Sequence, residues 1–413
     1  METLAKQKPQ AAIWFIFITL LIDVIGFGII IPVFPDLIMH LLHSDIRDAA
    51  SYGKYLTVAY ALMQFVFAPV IGNLSDKYGR RPVLLASLFG FGIDYLFLAF
   101  APTIGWLFIG RIIAGITGAS FTTATAYIAD ISTNETRAKN FGMVGAAFGL
   151  GFFIGPFLGG VLGEIGLRVP FYAAAGLALL NAAYGYFILP ESLSLDKRRP
   201  FELKRANPVG SLLQLAKFPS VLGLVASFFF IYMAAQSVQG VWNYVNIYRF
   251  NWSKQMIGYS LACIGLLVGL IQGLLSRVVI PKLGNERSVV TGLLLYMVGL
   301  VLFSIAGQSW MMFVFSIPYC LGGIAGPALQ SIITSSVPAN QQGELQGGLT
   351  SLISVTTILG PMTMIPLFVF FTSKAAPIQF AGAPFMAGAV CMLISALLAV
   401  RNFKKEAKQA EVV

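Results

Sequence analysis

The chain has 413 residues, of which 57% are hydrophobic and 11% charged, with a formal net charge of +10 and a mean hydropathy of +0.80. Soluble domains carry about 25% charged residues, so this composition excludes a soluble enzyme or binding domain and describes a polypeptide whose solvent is largely lipid. Stretches apolar enough to cross a hydrocarbon core, about 17 to 25 residues each, recur twelve times, at 11–39, 55–72, 82–101, 104–129, 140–163, 169–189, 218–246, 255–280, 288–306, 309–335, 346–372 and 377–401. They are expected to be helices, because the alternating pattern of a membrane barrel is absent and an open sheet edge is not tolerated in lipid.

The first span follows Lys6 and Lys8 and carries Asp23 in its middle. It is too long for a cleaved leader and lacks a small-residue cleavage site, so it is read as a membrane helix. Between the second and third spans stands GNLSDKYGRRPVLL, Gly72 to Leu85. Gly72 and Gly79 permit a tight turn, Pro82 suits the first turn of a helix, and Arg80 and Arg81 bias the turn toward the cytoplasm. Asp76 is suited to accept hydrogen bonds from Arg80, or to sit at a helix N-terminus where the dipole favours an anion. The expectation is a latch between the two halves of the chain, joined by Asp130 and Arg137 at the end of the fourth span. The alternative is a solvated turn whose charges only set topology. Arg277 stands where Asp76 would repeat, so such a latch is one-sided.

Asp94 in the third span and Arg111 in the fourth complete a short inventory of charges inside the membrane, each costing about 2.5 to 3.5 kcal/mol at mid-bilayer. With Asp23 they form either a structural ion pair or triad, or a site where an acid binds and releases a proton under the control of Arg111 and of water. Small residues and a proline punctuate the fifth span at Gly142, Gly151, Gly155, Pro156 and Gly159. They predict a close, bent seam against the eighth span.

The charged, proline-containing connection Pro190 to Pro219 divides the chain into an N-terminal six-helix bundle (1–190), a linker (191–217) and a C-terminal six-helix bundle (218–413). An internal repeat supports the division: Gly142, Gly155 and Pro156 recur 205 positions later as Gly347, Gly360 and Pro361, and Gly72 to Ser75 recurs 201 positions later as Gly273 to Ser276. Of the 27 lysines and arginines, 20 lie on the side of the N-terminus, six on the other, and Arg111 within the membrane. Both termini are therefore expected in the cytoplasm, and this asymmetry accounts for the basicity without nucleic acid. Cys263, Cys320 and Cys391 lie in apolar spans and His40 and His43 at the outer end of the first, so no metal or cofactor site is expected. There is no phosphate-binding loop for ATP hydrolysis.

Two six-helix bundles with these motifs resemble the major facilitator superfamily. GNLSDKYGRRPVLL is similar to its signature between helices two and three, GRIIAGITGA (Gly110 to Ala119) to its arginine motif, and GMVGAAFGLGFFIGPFLGG (Gly142 to Gly160) to the glycine-proline motif of its drug/proton antiporters. IDVIGFGIIIPVFPDL, YALMQFVFAP, IDYLFLAF and GPALQ resemble the tetracycline/proton antiporters. The resemblance implies an all-α membrane protein that exports a small amphipathic drug of the tetracycline type against protons from a bacterial inner membrane, the drug travelling free or as a metal chelate, with no obligatory protein partner. The alternatives are a proton-coupled exporter of another hydrophobic drug or metabolite and, from a different class, a non-transporting membrane receptor or scaffold, which would have no use for the embedded charges. It implies a central cavity, for which Gln64, Gln236, Asn243 and Gln272 offer hydrogen bonds and Phe121, Trp242 and Tyr244 offer walls suited to a planar amphiphile. Relatives of the tetracycline type usually carry an acid in helix nine and often a histidine in helix eight. Here VVTGLLLYMVGLVLFSIA (Val289 to Ala306) and Val268 stand instead, which leaves Asp23 or Asp94 to carry protons.

Overall fold

The computed structural model describes residues 2–118, 120–132, 136–201, 207–219, 221–338 and 341–410. The helices are α1 (Glu2–Ile30), α2 (Phe34–Leu42), α3 (Ile46–Tyr78), α4 (Arg80–Phe100), α5 (Ile104–Thr117), α6 (Ser120–Ile131), α7 (Arg137–Ile165), α8 (Val169–Ile188), α9 (Pro208–Gln214), α10 (Leu222–Gln239), α11 (Trp242–Phe250), α12 (Lys254–Leu270), α13 (Ser276–Leu283), α14 (Asn285–Ile305), α15 (Ser309–Leu321), α16 (Ala325–Ser335), α17 (Gln342–Thr372) and α18 (Ala383–Ala410). No strand occurs among the described residues. Among the described residues twelve helical stretches are long and apolar enough to cross a membrane, from Ile13–Ile30 to Ala383–Lys405.

Most departures from the predicted spans have local causes. The first span ends at Ile30, short of the predicted residue 39, and Pro35 opens the separate helix α2. Proline lacks an amide donor and disfavours helical geometry in the residue before it, so Pro32 and Pro35 divide the stretch. The seventh span stops at Gln239, and α11 carries Trp242, Asn243 and Tyr244 beyond it. The tenth span is interrupted by a 3-10 turn at Gly322–Ile324, just after Pro318. The eighth contains a π-helical segment at Ile271–Leu275.

The repeat is more extensive than its motifs. Helices α4, α5, α6 and α7 begin 205 positions before α14, α15, α16 and α17. Gly79 and Gly284, also 205 apart, occupy the same N-cap conformation, with φ 105° and 79° and ψ 159° in both. A side chain is strained at such positive φ. The C-termini of this helix pair are also treated alike. Arg168 donates to the carbonyls of Ala99 and Ala101 at 2.6 and 2.7 Å, and Arg249 donates to Phe303 and Ser304 at 2.9 and 2.6 Å. A guanidinium there satisfies orphaned carbonyls and complements the helix dipole.

The chain forms two compact units: unit 1 is 1–44, 55–207 and 253–266, and unit 2 is 45–54, 208–252 and 267–413. In unit 1, Phe15, Ile16 and Leu20 of α1 pack with Leu84 and Leu88 of α4 and Tyr127 of α6. In unit 2, Trp242 packs against Trp252, Phe303 and Phe385.

Candidate functional site

The three intramembrane charges all belong to unit 1, and the structure pairs two of them. Arg111 Nη2 donates to Asp94 Oδ2, with Asp94 fully buried and Arg111 8% exposed. The pair is reached because Gly110 leaves room: a Cβ there would stand 2.8 Å from Asp94 Oδ1. It is not saturated, since Asp94 Oδ1 and Arg111 Nε are buried without a hydrogen-bond partner. A carboxylate held by a single contact keeps a free oxygen where a proton can add. Asp23 is half-buried and approached by Asn181, whose Nδ2 lies 3.4 Å from Asp23 Oδ1 and 3.1 Å from the Thr19 carbonyl.

Two tyrosines that are not among the candidates from sequence, Tyr60 and Tyr95, join this site. The Arg111 guanidinium lies 5.8 Å from the ring centre of Tyr60. Tyr95 is buried, and a Cβ on Gly26 would stand 3.4 Å from its ring. Asp23, Asp94 and Arg111 are electrostatic neighbours of both phenols. Their neighbours in sequence were the available signal: Tyr95 follows Asp94, and Tyr60 stands one helical turn before Gln64. Gln64 itself donates to the Gly118 carbonyl at 3.2 Å, beside the break between α5 and α6.

The signature turn is a connected network inside unit 1. Arg80 pairs with Asp76 at 2.6 Å and with Asp130 at 3.0 Å, and donates to Ser75 Oγ at 2.6 Å. Glu191, at the start of the linker, accepts from the backbone amides of Arg80 and Arg81 at 2.9 and 3.3 Å. It therefore caps α4 with an anion, the sign that a helix N-terminus prefers. Arg81 donates to the Tyr186 carbonyl at 2.6 Å, and the Arg199 amide donates to the Asp76 carbonyl at 3.1 Å. A cleft of about 630 Å³ is lined by Asp76, Arg80, Asp130, Leu193, Asp196, Arg198 and Arg199. Gly72 lies inside α3, where a Cβ would meet nothing within 4 Å, so the expected turn is made by Gly79 and not by Gly72. The side chains of Arg137 and Phe121 lie outside those described.

The predicted seam falls on two faces of α7. Gly151, Gly155 and Gly159 face α1: Cβ atoms at these positions would stand 2.6 Å from Val24, 2.8 Å from Gly28 Cα and 2.0 Å from the Ile29 carbonyl oxygen. Helix α12 is met instead by Phe152, Pro156 and Gly160, where a Cβ on Gly258 would stand 2.5 Å from the Pro156 oxygen and one on Gly265 2.7 Å from the Phe152 oxygen. The three glycines thus meet α1 in place of the expected eighth span, while Pro156 lies against α12. Both sets run at i, i+4 and i+8, and one residue of offset turns the face by about 100°.

At the Ile165 end of this seam Asp36 of α2 pairs with Lys254 of α12 at 3.3 Å, and Glu164 of α7 accepts from the Gln255 amide at 3.3 Å. Burial pushes the Asp36 carboxyl above its ordinary value of 3.8, Lys254 opposes the shift, and Glu164 adds to it. An acid whose pKa is raised by folding contributes stability that is present below the unfolded value and is lost as pH rises through the folded one. Asp36→Asn is therefore expected to raise the melting temperature relative to the parent at neutral pH, with the difference closing toward pH 4. A melting series in detergent in which the gap is independent of pH would exclude this assignment.

The remaining candidates belong to unit 2. Gln236 is buried beside Gly360, where a Cβ would stand 2.2 Å from its Cγ. Trp242 is 1% exposed, a core residue and not a wall open to a ligand. Asn243 and Tyr244 are buried, with the Tyr244 ring 6.5 Å from Phe368. Gln272 is exposed on the π-helical segment.

The sequence profile of the Major Facilitator Superfamily matches residues 16–361 and, in a second match, 241–412. The tetracycline resistance protein, class C, of Escherichia coli is 42% identical over 362 residues, covering 88% of this chain and 91% of that protein. Multidrug resistance protein 2 of Bacillus subtilis (strain 168) is 30% identical over 369 residues, covering 84% of this chain and 87% of that one. Among solved structures, the human organic anion transporter MFSD10 (TETRAN) aligns over 95% of this chain and 99% of its own with a TM-score of 0.74 at 23% identity. A bacterial homolog of the human lysosomal transporter Spinster aligns over 96% and 98% with a TM-score of 0.78 at 16% identity.

Proposed function

The chain belongs to the Major Facilitator Superfamily, and from that membership we propose that this transporter exports a planar amphipathic drug of the tetracycline type in exchange for protons. The observation that carries the reading is its 42% identity to a tetracycline resistance protein over most of both chains. The unsaturated Asp94–Arg111 pair supplies the means, because a buried acid that exchanges Arg111 for a proton couples a charge to a conformational preference. In this reading Asp94 carries the proton, and Asp23, bonded by Asn181, acts on substrate. Gln64, Phe121, Gln236, Asn243, Tyr244 and Gln272 contribute polar and aromatic contacts to the drug, free or as a metal chelate.

The proposed setting is a bacterial inner membrane with both termini cytoplasmic, the bundles being residues 1–190 and 218–413 around the linker 191–217, and no obligatory protein partner. The turn of Asp76, Arg80 and Asp130 is then a cytoplasmic latch that favours one of two conformations. Asp76→Asn is expected to slow transport several-fold at unchanged expression. Parental rates in that variant would remove the latch.

The test of function is substrate-driven proton movement in proteoliposomes, with tetracycline, alone and with magnesium, as the first substrate. Tetracycline-dependent proton efflux supports the reading. Its absence together with proton coupling to aromatic cations would favour the second reading, a general hydrophobic-drug exporter. The 30% identity to a multidrug resistance protein and the lack of an acid in helix nine favour that alternative.

A further inference from the structure

Unit 2 has no acid near the middle of any span, yet it contains one concentrated polar feature. Tyr296 of α14 and Tyr319 of α15 are hydrogen-bonded through their hydroxyls at 3.0 Å, with ring centres 4.5 Å apart and planes at 61°. Two glycines bring them together. A Cβ on Gly322 would stand 2.6 Å from Tyr296 N and Cβ, and one on Gly299 2.6 Å from Tyr319 N and Cα. The two segments therefore approach backbone to backbone at these glycines, which brings the tyrosine rings within reach of each other.

Two phenols carry two hydroxyl hydrogens, and a single mutual contact uses one of them. Among the described residues neither hydroxyl makes a further hydrogen bond. Tyr319 is buried and Tyr296 half-buried, so the second hydroxyl hydrogen is a donor that an acceptor entering the site can use.

The surroundings point the same way. The π-helical segment Ile271–Leu275 lies against the 3-10 turn Gly322–Ile324, so two spans interrupt their regular ladders at one place. Such interruptions inside a membrane persist where protein or a polar ligand takes up the freed groups, and they are frequent at functional sites. Gln272 projects there: it is exposed, and its Nε2 lies 3.8 Å from where a Cβ on Gly323 would stand.

We propose that Tyr296, Tyr319 and Gln272 form a hydrogen-bonding subsite in unit 2 that receives an acceptor oxygen, a keto or enolate oxygen of a planar amphiphile. The assignment rests on the substrate class proposed above. It gives unit 2 a neutral donor pair as its means of discriminating among drugs, in contrast to the charged pair of unit 1.

Tyr→Phe variants keep the ring and remove only the hydroxyl, so they test the subsite with little disturbance of packing. Tetracycline binding to the purified full chain is read by fluorescence beside thermal melting. Tyr296→Phe and Tyr319→Phe are each expected to weaken binding about five- to tenfold, the worth of one hydrogen bond, with melting temperatures near the parent's. Lowered melting with unchanged affinity would overturn the subsite and leave an interhelical bond. If the parent itself fails to bind tetracycline, the drug reading fails separately. The subsite is then read without a drug, by N-ethylmaleimide labelling of Tyr296→Cys in a chain with Cys263, Cys320 and Cys391 replaced. Labelling supports a polar site open to water, and a folded but unreactive cysteine overturns it.

Discussion

Asp94→Asn is expected to abolish proton-driven uphill export, by more than about 100-fold, while leaving downhill exchange of substrate measurable. The carboxylate is fully buried and its one bonded oxygen faces Arg111, so the amide can neither take a proton nor balance the guanidinium. Removing one partner of a buried pair costs about 3 to 5 kcal/mol, because the other charge stays behind uncompensated. Loss of activity in this single variant therefore has two causes. The double variant Asp94→Asn with Arg111→Gln separates them, since two neutral amides leave no orphan charge. Expression and melting temperature are expected to recover in the double variant, whereas proton-driven accumulation in everted vesicles is not. Recovery of uphill transport there would reduce the pair to a structural role. Asp23→Asn is expected to raise the half-saturation concentration with proton coupling retained, because Asn181 approaches Asp23 whereas Arg111 pairs with Asp94 in the structure.

The second large effect concerns the two faces of α7. Gly258→Val is expected to cut transport more than tenfold while the protein still folds, and Gly155→Val to lower folded yield itself. At Gly258 the added carbon would meet the Pro156 oxygen at 2.5 Å and Gly160 Cα at 3.0 Å. Backbone atoms cannot retreat singly, so α7 and α12 must separate as bodies. At Gly155 the carbon would meet Gly28 Cα and the Ile25 oxygen, both at 2.8 Å, and the helices forced apart are α1 and α7 at the centre of unit 1. Overpacking a core costs about 1 to 3 kcal/mol and often more where backbone is involved. Size-exclusion yield and melting report the first kind of damage, and transport per folded molecule reports the second. Parental transport by Gly258→Val would show that the α7–α12 contact tolerates widening.

Much of this architecture was legible in the amino-acid order because the lipid solvent leaves few choices. A span must be long, apolar and internally hydrogen-bonded, so the twelve spans, the 205-residue repeat and the scarcity of buried charges at Asp23, Asp94 and Arg111 follow from counting along the chain. The cap glycine at Gly79 was also a local fact, set by a missing Cβ, whereas the break at Pro32 and Pro35, equally local in cause, was read through as one span to residue 39.

What only the tertiary structure decided is which partner each group meets. Asp94 rather than Asp23 takes Arg111, Glu191 arrives from more than a hundred residues away to cap α4, and Gly151, Gly155 and Gly159 turn to α1 while Pro156 and Gly160 turn to α12. Periodicity states that residues share a face, but inside a bilayer every face is apolar, so no contrast between core and solvent specifies which neighbour a face will find. The same holds for Tyr296 and Tyr319: each is an ordinary aromatic in an apolar run until α14 and α15 are brought together, glycine against tyrosine, and the two hydroxyls meet.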